Sequence, residues 1–158
     1  MDLHEAAAAG DVERVRELIA QGYSINTRHT YNYTPLLYAA SNGKLDMVRF
    51  LVDQGADIDA RGHNSMTPLD FTIAVDSFRV FDLLVSLGAN IRARDNNGRT
   101  VLHTIVWCDS GPRWMHRLLD AVDANRRTWF STKKQQWKHP VARRFKGYRG
   151  KVLSRVWL

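Results

Sequence analysis

"TPLLYAASNGKLDMVRFLVDQGADIDA", residues 34–60, contains the pattern that decides the fold of this 158-residue chain. Nearly the same order of residue types returns 33 positions later, from Thr67 onward, and again from Thr100. A weaker copy comes first, because the apolar and alanine residues of 3–7 stand 33 positions before those of 36–40. The glycines with the same spacing are Gly22, Gly55 and Gly88. Several independent positions with one period indicate a stack of structural repeats.

Each copy predicts two helices and a turn. Thr34 precedes the first helix, where its side-chain oxygen can accept a hydrogen bond from the backbone, and Pro35 suits the first helical position. The apolar residues between 45 and 52 are three or four positions apart, which places them on one face of a second helix. Gly55 follows this helix and can end it in a left-handed conformation. The segment "GADIDARGHNSM", residues 55–66, has the polar and glycine residues of a turn between repeats.

A period of 33 with a Thr-Pro-Leu core resembles the ankyrin repeat over about residues 2–127. The resemblance implies an all-α solenoid of helix-turn-helix units joined by β-hairpin-like turns. We expect an ankyrin-repeat domain at 1–127 and a basic, aromatic C-terminal extension at 128–158. The four repeats are predicted at about 2–28, 29–61, 62–94 and 95–127. The residues expected to be buried between the helix layers are Leu36, Ala39, Ala40, Val48, Leu51, Leu69, Leu83, Leu84 and Leu102.

The first and fourth repeats depart from the pattern. The first lacks Thr-Pro and begins at Asp2, as expected of an N-terminal cap. In the fourth, Val101 replaces the proline, and "CDSGPRW", residues 108–114, lengthens the turn between the helices by two residues. Asp123 stands where the glycine that ends the second helix is expected. Such changes are typical of terminal repeats.

Charge divides the chain into an acidic-leaning body and a basic tail. Residues 1–125 carry 12 Lys/Arg against 16 Asp/Glu, whereas residues 126–158 carry 11 Lys/Arg and no carboxylate. The segment 128–158 also contains six Trp, Phe and Tyr residues, which is unusual for a disordered tail. Three interpretations remain open: the aromatic residues cover the apolar end of the fourth repeat, the tail binds RNA or an acidic surface, or it is a targeting segment or a flexible end. The residues predicted to bind a polyanion are Lys133, Lys134, Arg143, Arg144, Lys146 and Arg149.

Signatures of enzymes, metal sites and membrane spans are missing from the sequence. No nucleophile elbow or dinucleotide-binding glycine motif occurs, and the six histidines lack metal-ligand spacing. We therefore predict no catalytic activity, no cofactor and no metal. No apolar run approaches the roughly 18 residues of a membrane span, and no signal peptide is visible. The single Cys108 suits a reducing, intracellular compartment, the cytoplasm first, with nuclear or organellar locations left open.

The resemblance also implies a binding surface, the concave face, formed by the hairpin tips and the first helices. Its tip positions here are Thr30, Tyr31, Tyr33, His63, Asn64, Met66, Asn96, Asn97 and Arg99, and its late first-helix positions are Ser41, Asn42, Ala74, Val75, Trp107 and Cys108. Tyr31, Tyr33, Met66, Arg99 and Trp107 are of the residue types enriched at interface cores and are predicted to bind a partner protein. Two alternatives stay open: Trp107 packs inside the irregular fourth repeat, and Tyr31 and Tyr33 pack on the neighbouring hairpin.

Two functions fit these patterns. The first is a non-enzymatic interaction module (an adaptor, an inhibitor or an assembly subunit) that grips a partner protein through the concave face. The second is a ribonucleoprotein or ribosome-associated subunit whose basic tail binds RNA. We expect a monomer on its own, or one subunit of a larger complex.

Overall fold

The computed structural model describes residues 2–108 and 111–124. These ranges contain eight α-helices and no β-strand. The helices are α1 (Leu3–Ala9), α2 (Val12–Ala20), α3 (Pro35–Ser41), α4 (Leu45–Asp53), α5 (Pro68–Ala74), α6 (Phe78–Ser86), α7 (Val101–Trp107) and α8 (Gly111–Ala124). The chain divides into two compact units, residues 1–110 and 111–158, so that α1–α7 belong to the first unit and α8 to the second. The all-α fold expected from the sequence is confirmed.

The helices of the first unit form two rows. In one row α1 contacts α3, α3 contacts α5 and α5 contacts α7; in the other, α2 contacts α4 and α4 contacts α6. In the first three repeats the first helix also packs on the second helix of its own repeat, as α3 does on α4. A single helix pair could not bury its apolar face, so stacking of repeats supplies the core.

The helices begin and end at the residues that the pattern predicts. Thr34 is the N-cap of α3 and accepts a hydrogen bond at Oγ1 from the N–H of Leu37 (3.4 Å). Thr67 precedes α5, and its hydroxyl donates to the Asp70 carboxylate (2.9 Å). The glycine just past the second helix of each of the first three repeats is left-handed, with φ of 90° at Gly55 and 94° at both Gly22 and Gly88. An L-residue with a side chain would be strained there, which explains why glycine recurs every 33 residues at this position.

Eight of the nine residues expected in the core are buried, and Leu102 is not. Leu36, Ala39, Ala40, Val48, Leu51, Leu69, Leu83 and Leu84 are each at most 6% exposed. Leu102 is only half-buried, whereas Val101 and Ile105 of the same helix are buried. The equivalent Leu3 is buried, and its helix packs on its own second helix and on the next repeat. Within the first unit, α7 has neither of them.

The second unit is described only through α8, a helix of 14 residues. Its buried side chains are Trp114, Met115, Leu118, Ala121 and Val122. These positions are one, three or four residues apart, which places them on one face of the helix. The predicted domain boundary near residue 127 lies outside the described residues and stays a prediction.

Candidate protein-binding face

The turns between repeats project as tips, and we call residues 29–33, 62–66 and 95–99 the first, second and third tip. A backbone hydrogen bond closes each tip: His29 N–H donates to Tyr33 O (2.9 Å), Gly62 N–H to Met66 O (3.0 Å) and Asp95 N–H to Arg99 O (2.9 Å). The tips are thus hairpin-like, as expected, although the described residues form no strand.

The first two tips turn through pairs of left-handed residues. Tyr31 and Asn32 have φ of 59° and 65°, and Asn64 and Ser65 have φ of 55° and 59°. Two successive left-handed residues are the geometry of a type I′ turn, which matches the twist of a hairpin. Asparagine tolerates this conformation, but a bulky residue such as tyrosine rarely adopts it. The backbone at Tyr31 is therefore strained.

Tyr31 is the most exposed large apolar side chain among the described residues, at 70%. Its ring and the ring of His63 in the second tip are nearly perpendicular, with the centroids 5.8 Å apart. This contact with the neighbouring tip is the packing considered as an alternative, yet it covers little of the tyrosine. Most of the ring faces solvent.

Tyr33 is half-buried within an aromatic cluster. Its ring contacts Tyr38 of α3 and Phe71 of α5 edge-on, at centroid distances of 5.4 and 5.3 Å. Burial, together with the nearby Tyr38, raises the pKa of the Tyr33 hydroxyl. Part of the Tyr33 side chain therefore packs between two repeats, and the rest is accessible to solvent.

Met66 and Arg99 occupy the position equivalent to Tyr33 in the next two tips, and both are half-buried. Arg99 Nε donates to Asp95 Oδ2 (2.7 Å), and the Arg99 N–H donates to Asp95 Oδ1 (2.8 Å). Burial alone would raise the pKa of Asp95, but the hydrogen bonds from the backbone and side chain of Arg99 and from the N–H of Asn97 lower it overall. Asp95 is thus held ionised against Arg99.

The late first-helix positions differ in exposure. Asn42, Ala74, Val75 and Cys108 are exposed, and Ser41 is half-buried. Val75, at 43%, adds an apolar side chain to the face at the end of α5. Trp107 is the last residue of α7, and its side chain lies outside what the structure describes. The predicted polyanion-binding residues of the tail also lie outside the described residues.

Sequence reasoning missed a row of three arginines at the base of the tips. Arg28 Nη1 donates to Asn32 O (3.2 Å) of its own tip and to Arg61 O (2.8 Å) of the next repeat. Arg61 Nη1 donates in the same way to Ser65 O (3.0 Å) and Arg94 O (2.6 Å). Arg94 Nη1 donates to Gly98 O (2.8 Å). The signal was in the sequence, since Arg28, Arg61 and Arg94 are 33 positions apart.

Two histidines, His4 and His103, occupy the position that follows the leucine of the Thr-Pro-Leu core. His4 is buried, its Nε2 lies 3.1 Å from Thr27 O, and its ring stacks on His29 with centroids 5.0 Å apart. His103 Nδ1 accepts a hydrogen bond from the Thr100 N–H (3.1 Å). Both histidines therefore hold the start of a first helix or its incoming turn.

Asp70 stands at the same position in the third repeat and is buried. Its Oδ2 accepts from the N–H and the hydroxyl of Thr67 (both 2.9 Å), and Thr104 Oγ1 lies 3.4 Å from Oδ1. Burial raises the pKa of Asp70, the bonds from Thr67 lower it, and the nearby Asp95 raises it, so the net change is upward. Ionising the carboxyl group at this buried position is therefore harder than in water.

Within the described ranges, no three His, Cys, Asp or Glu side chains lie together as a metal site. None of the helices described has the length and apolar character needed to cross a membrane.

Comparison with known families agrees with the fold. The family model of ankyrin repeats, in three copies, matches residues 3–95, which is more than half of the chain. The chain therefore belongs to the ankyrin-repeat family. Ankyrin repeats are protein–protein interaction modules, and the family is typically non-catalytic. A search of curated proteins found no match to the chain.

Proposed function

We propose that this protein is a non-enzymatic adaptor, inhibitor or assembly subunit that grips one partner protein through the concave face. Tyr31, Tyr33 and Met66 form the contact with the partner, Arg99 borders it, and Trp107 extends it along α7. Tyrosine, tryptophan and arginine are the residue types that most often dominate the energy of such contacts.

The observation that carries this proposal is the combination of strain and exposure at Tyr31. Its backbone is left-handed, with φ of 59°, and its side chain is 70% exposed. Stability alone would favour asparagine or glycine at this position. Backbone strain of this kind concentrates at functional sites, where it holds a side chain ready for its partner.

Affinity capture from the native host with the intact chain as bait tests the proposal. Replacing Tyr31 by Asn and Met66 by Ala should abolish capture of the partner, since hot-spot side chains commonly contribute at least ~2 kcal/mol each. Tyr23→Ala is the control, because Tyr23 is also exposed (56%) but follows α2 and is not a residue of any tip. Equal loss of capture for the Tyr23 and Tyr31 variants, or no loss for either, would contradict the proposal.

The basic tail is part of the proposal as a second contact, with RNA or with an acidic protein surface. Its support is the sequence: 11 Lys/Arg and no carboxylate within residues 126–158. If the RNA contact is the main one, the protein is a ribonucleoprotein or ribosome-associated subunit instead. Capture with and without nuclease separates the two functions, because a partner retained through RNA is lost on nuclease treatment.

A further inference from the structure

The turn tips differ sharply in charge from the rest of the body. The residues from 28 to 33, from 61 to 66 and from 94 to 99 include four arginines and one carboxylate, Asp95. That carboxylate is already paired with Arg99, and its side chain is only 7% exposed. At the position of Asp95, the first two tips have His29 and Gly62. The bases of the tips therefore present the unneutralised positive charge of Arg28, Arg61 and Arg94 on a body that is acidic overall.

The arginines of this row are held in place by the backbone. Nη1 of Arg28 and of Arg61 each donates to two carbonyl oxygens, and Nη1 of Arg94 donates to one. Within the described parts of the chain, Nε and Nη2 of these three side chains have no hydrogen-bond acceptor. Arg28 and Arg94 are exposed, and Arg61 is half-buried.

The free edge is the one that binds carboxylates. The Nε–H and one Nη2–H of a guanidinium are parallel, and together they donate two hydrogen bonds to the two oxygens of a carboxylate. In the third tip, Arg99 Nε donates one such hydrogen bond to Asp95 Oδ2 (2.7 Å), so an arginine edge already binds a carboxylate beside the row. Because Nη1 is already bonded, little side-chain entropy remains to be lost when an anion binds.

We propose that the arginine row, Arg28, Arg61 and Arg94, binds an extended acidic segment of the partner protein. One carboxylate of the segment pairs with each repeat, and its apolar side chains lie against Tyr31 and Met66 of the adjoining tips. This inference rests on the proposed protein-binding function and adds the chemistry of the partner. Charge complementarity selects an acidic segment, and the neighbouring apolar residues favour a polypeptide over a nucleic acid.

The test uses the full chain with Lys133, Lys134, Arg143, Arg144, Lys146 and Arg149 changed to Gln, so that the tail contributes less to binding an acidic probe. The probes are two fluorescein-labelled peptides, one alternating Glu with Tyr and one alternating Gln with Tyr. Fluorescence anisotropy should show tighter binding of the Glu–Tyr peptide. Arg28→Gln, Arg61→Gln and Arg94→Gln should each weaken it by about tenfold, the usual effect of losing a charge-assisted hydrogen bond.

Arg49→Gln is the control, since Arg49 is an exposed arginine of α4, in the other helix row. Arg61→Lys keeps the charge but lacks the paired N–H edge, so it should also weaken binding while circular dichroism stays unchanged.

Equal affinity for the two peptides, or equal loss in the Arg49 and Arg61 variants, would overturn the inference. Displacement of the peptide by oligouridylate, dependent on the same arginines, would overturn it in favour of phosphate. Capture of a partner that needs Tyr31 but not the arginines would reject the acidic segment and leave the proposed function intact.

Discussion

At one position of the repeat, the residue type changes from one repeat to the next, and the interactions of the side chain change with it. The same register position in three successive repeats is occupied by Leu37, Asp70 and His103, and each has a different environment. Leu37 is fully buried, His103 accepts a backbone hydrogen bond, and Asp70 accepts two bonds while buried. A buried carboxylate loses hydration that its hydrogen bonds only partly replace.

The raised pKa of Asp70 makes stability depend on pH. The folded protein binds the Asp70 proton more tightly than the unfolded chain, whose pKa is near 3.8. The stabilisation from protonated Asp70 is therefore fully present below pH 3.8 and is lost as the pH rises through the folded pKa. Asp70→Asn mimics the protonated form, so we expect it to raise the free energy of unfolding at neutral pH. Urea denaturation at several pH values should show this gain shrinking as the pH falls through the folded pKa of Asp70 and absent below pH 3.8. A variant less stable than the wild type at neutral pH would contradict the prediction.

Because the backbone of Tyr31 is strained, replacing this residue should raise the stability of the fold while it weakens binding of the partner. Asn64 holds nearly the same backbone angles in the second tip (φ 55°, ψ 22° against φ 59°, ψ 22°) without a bulky side chain. Tyr31→Asn should therefore raise the free energy of unfolding by about 1 kcal/mol. Tyr23→Asn, at an exposed position, should change it by less than about 0.5 kcal/mol. Thermal denaturation distinguishes the outcomes, and a loss of stability in Tyr31→Asn would mean that the contact with His63 outweighs the strain.

At the scale of the helices, stability comes from apolar side chains that lie between the two rows. Leu51 of α4 is fully buried, so Leu51→Ala removes its transfer free energy and leaves a cavity. We expect a loss of about 2–5 kcal/mol in the free energy of unfolding. Leu45→Ala in the same helix is the control, because Leu45 is only half-buried and should cost less. Equal losses from chemical denaturation would show that Leu51 does not contribute as a core residue.

The helices could be predicted from sequence because each depends on local signals. A threonine, a proline and a glycine at fixed spacing determine where helices begin and end, and apolar periodicity determines the buried face. Leu102 was predicted wrongly because its burial depends on cover from outside its own helix, which no local pattern reports. The hydrogen bonds of the arginine row were missed for a related reason. An arginine in a polar turn usually remains solvated, and only the period of 33 distinguished these three.

The candidate face was predicted less completely than the fold. The sequence identified Tyr31 as a contact residue by its place in the repeat, but the strain at its backbone follows from angles that only the structure provides. Tyr33 has a dual role that sequence could not separate, because contact with Tyr38 and Phe71 depends on how two repeats stack. Exposure and inter-repeat contacts are properties of the assembled stack.

At the scale of the whole molecule, neighbouring repeats are joined by polar bonds as well as by the core. Asn26 Oδ1 accepts from the Asp57 N–H (2.9 Å), and Asp59 Oδ1 accepts from the Asn90 N–H (2.9 Å). These bonds recur at the same register, as do those of Arg28 and Arg61 to the next repeat. In a repeat protein, stability is approximately the sum of repeat and interface terms. The recurring bonds therefore add to each interface and make the stack more cooperative.

The charge division between body and tail leads to the last prediction. Residues 126–158 carry 11 Lys/Arg and no carboxylate, so no ion pair within the tail can neutralise them. A tail that only covers the last repeat needs its aromatic residues and is insensitive to most of these charges. A tail that binds a polyanion needs the charges, and its affinity falls as salt is added. Each phosphate contact on a single strand adds about −0.7 to the slope of log affinity against log salt concentration.

Changing Lys133, Lys134, Arg143, Arg144, Lys146 and Arg149 to Gln should therefore leave the thermal midpoint unchanged, weaken binding to single-stranded RNA and flatten its salt dependence. Titration of labelled RNA at several salt concentrations measures both effects. An affinity independent of salt, or no binding by the intact chain at low salt, would assign the tail to covering the fourth repeat or to a protein contact.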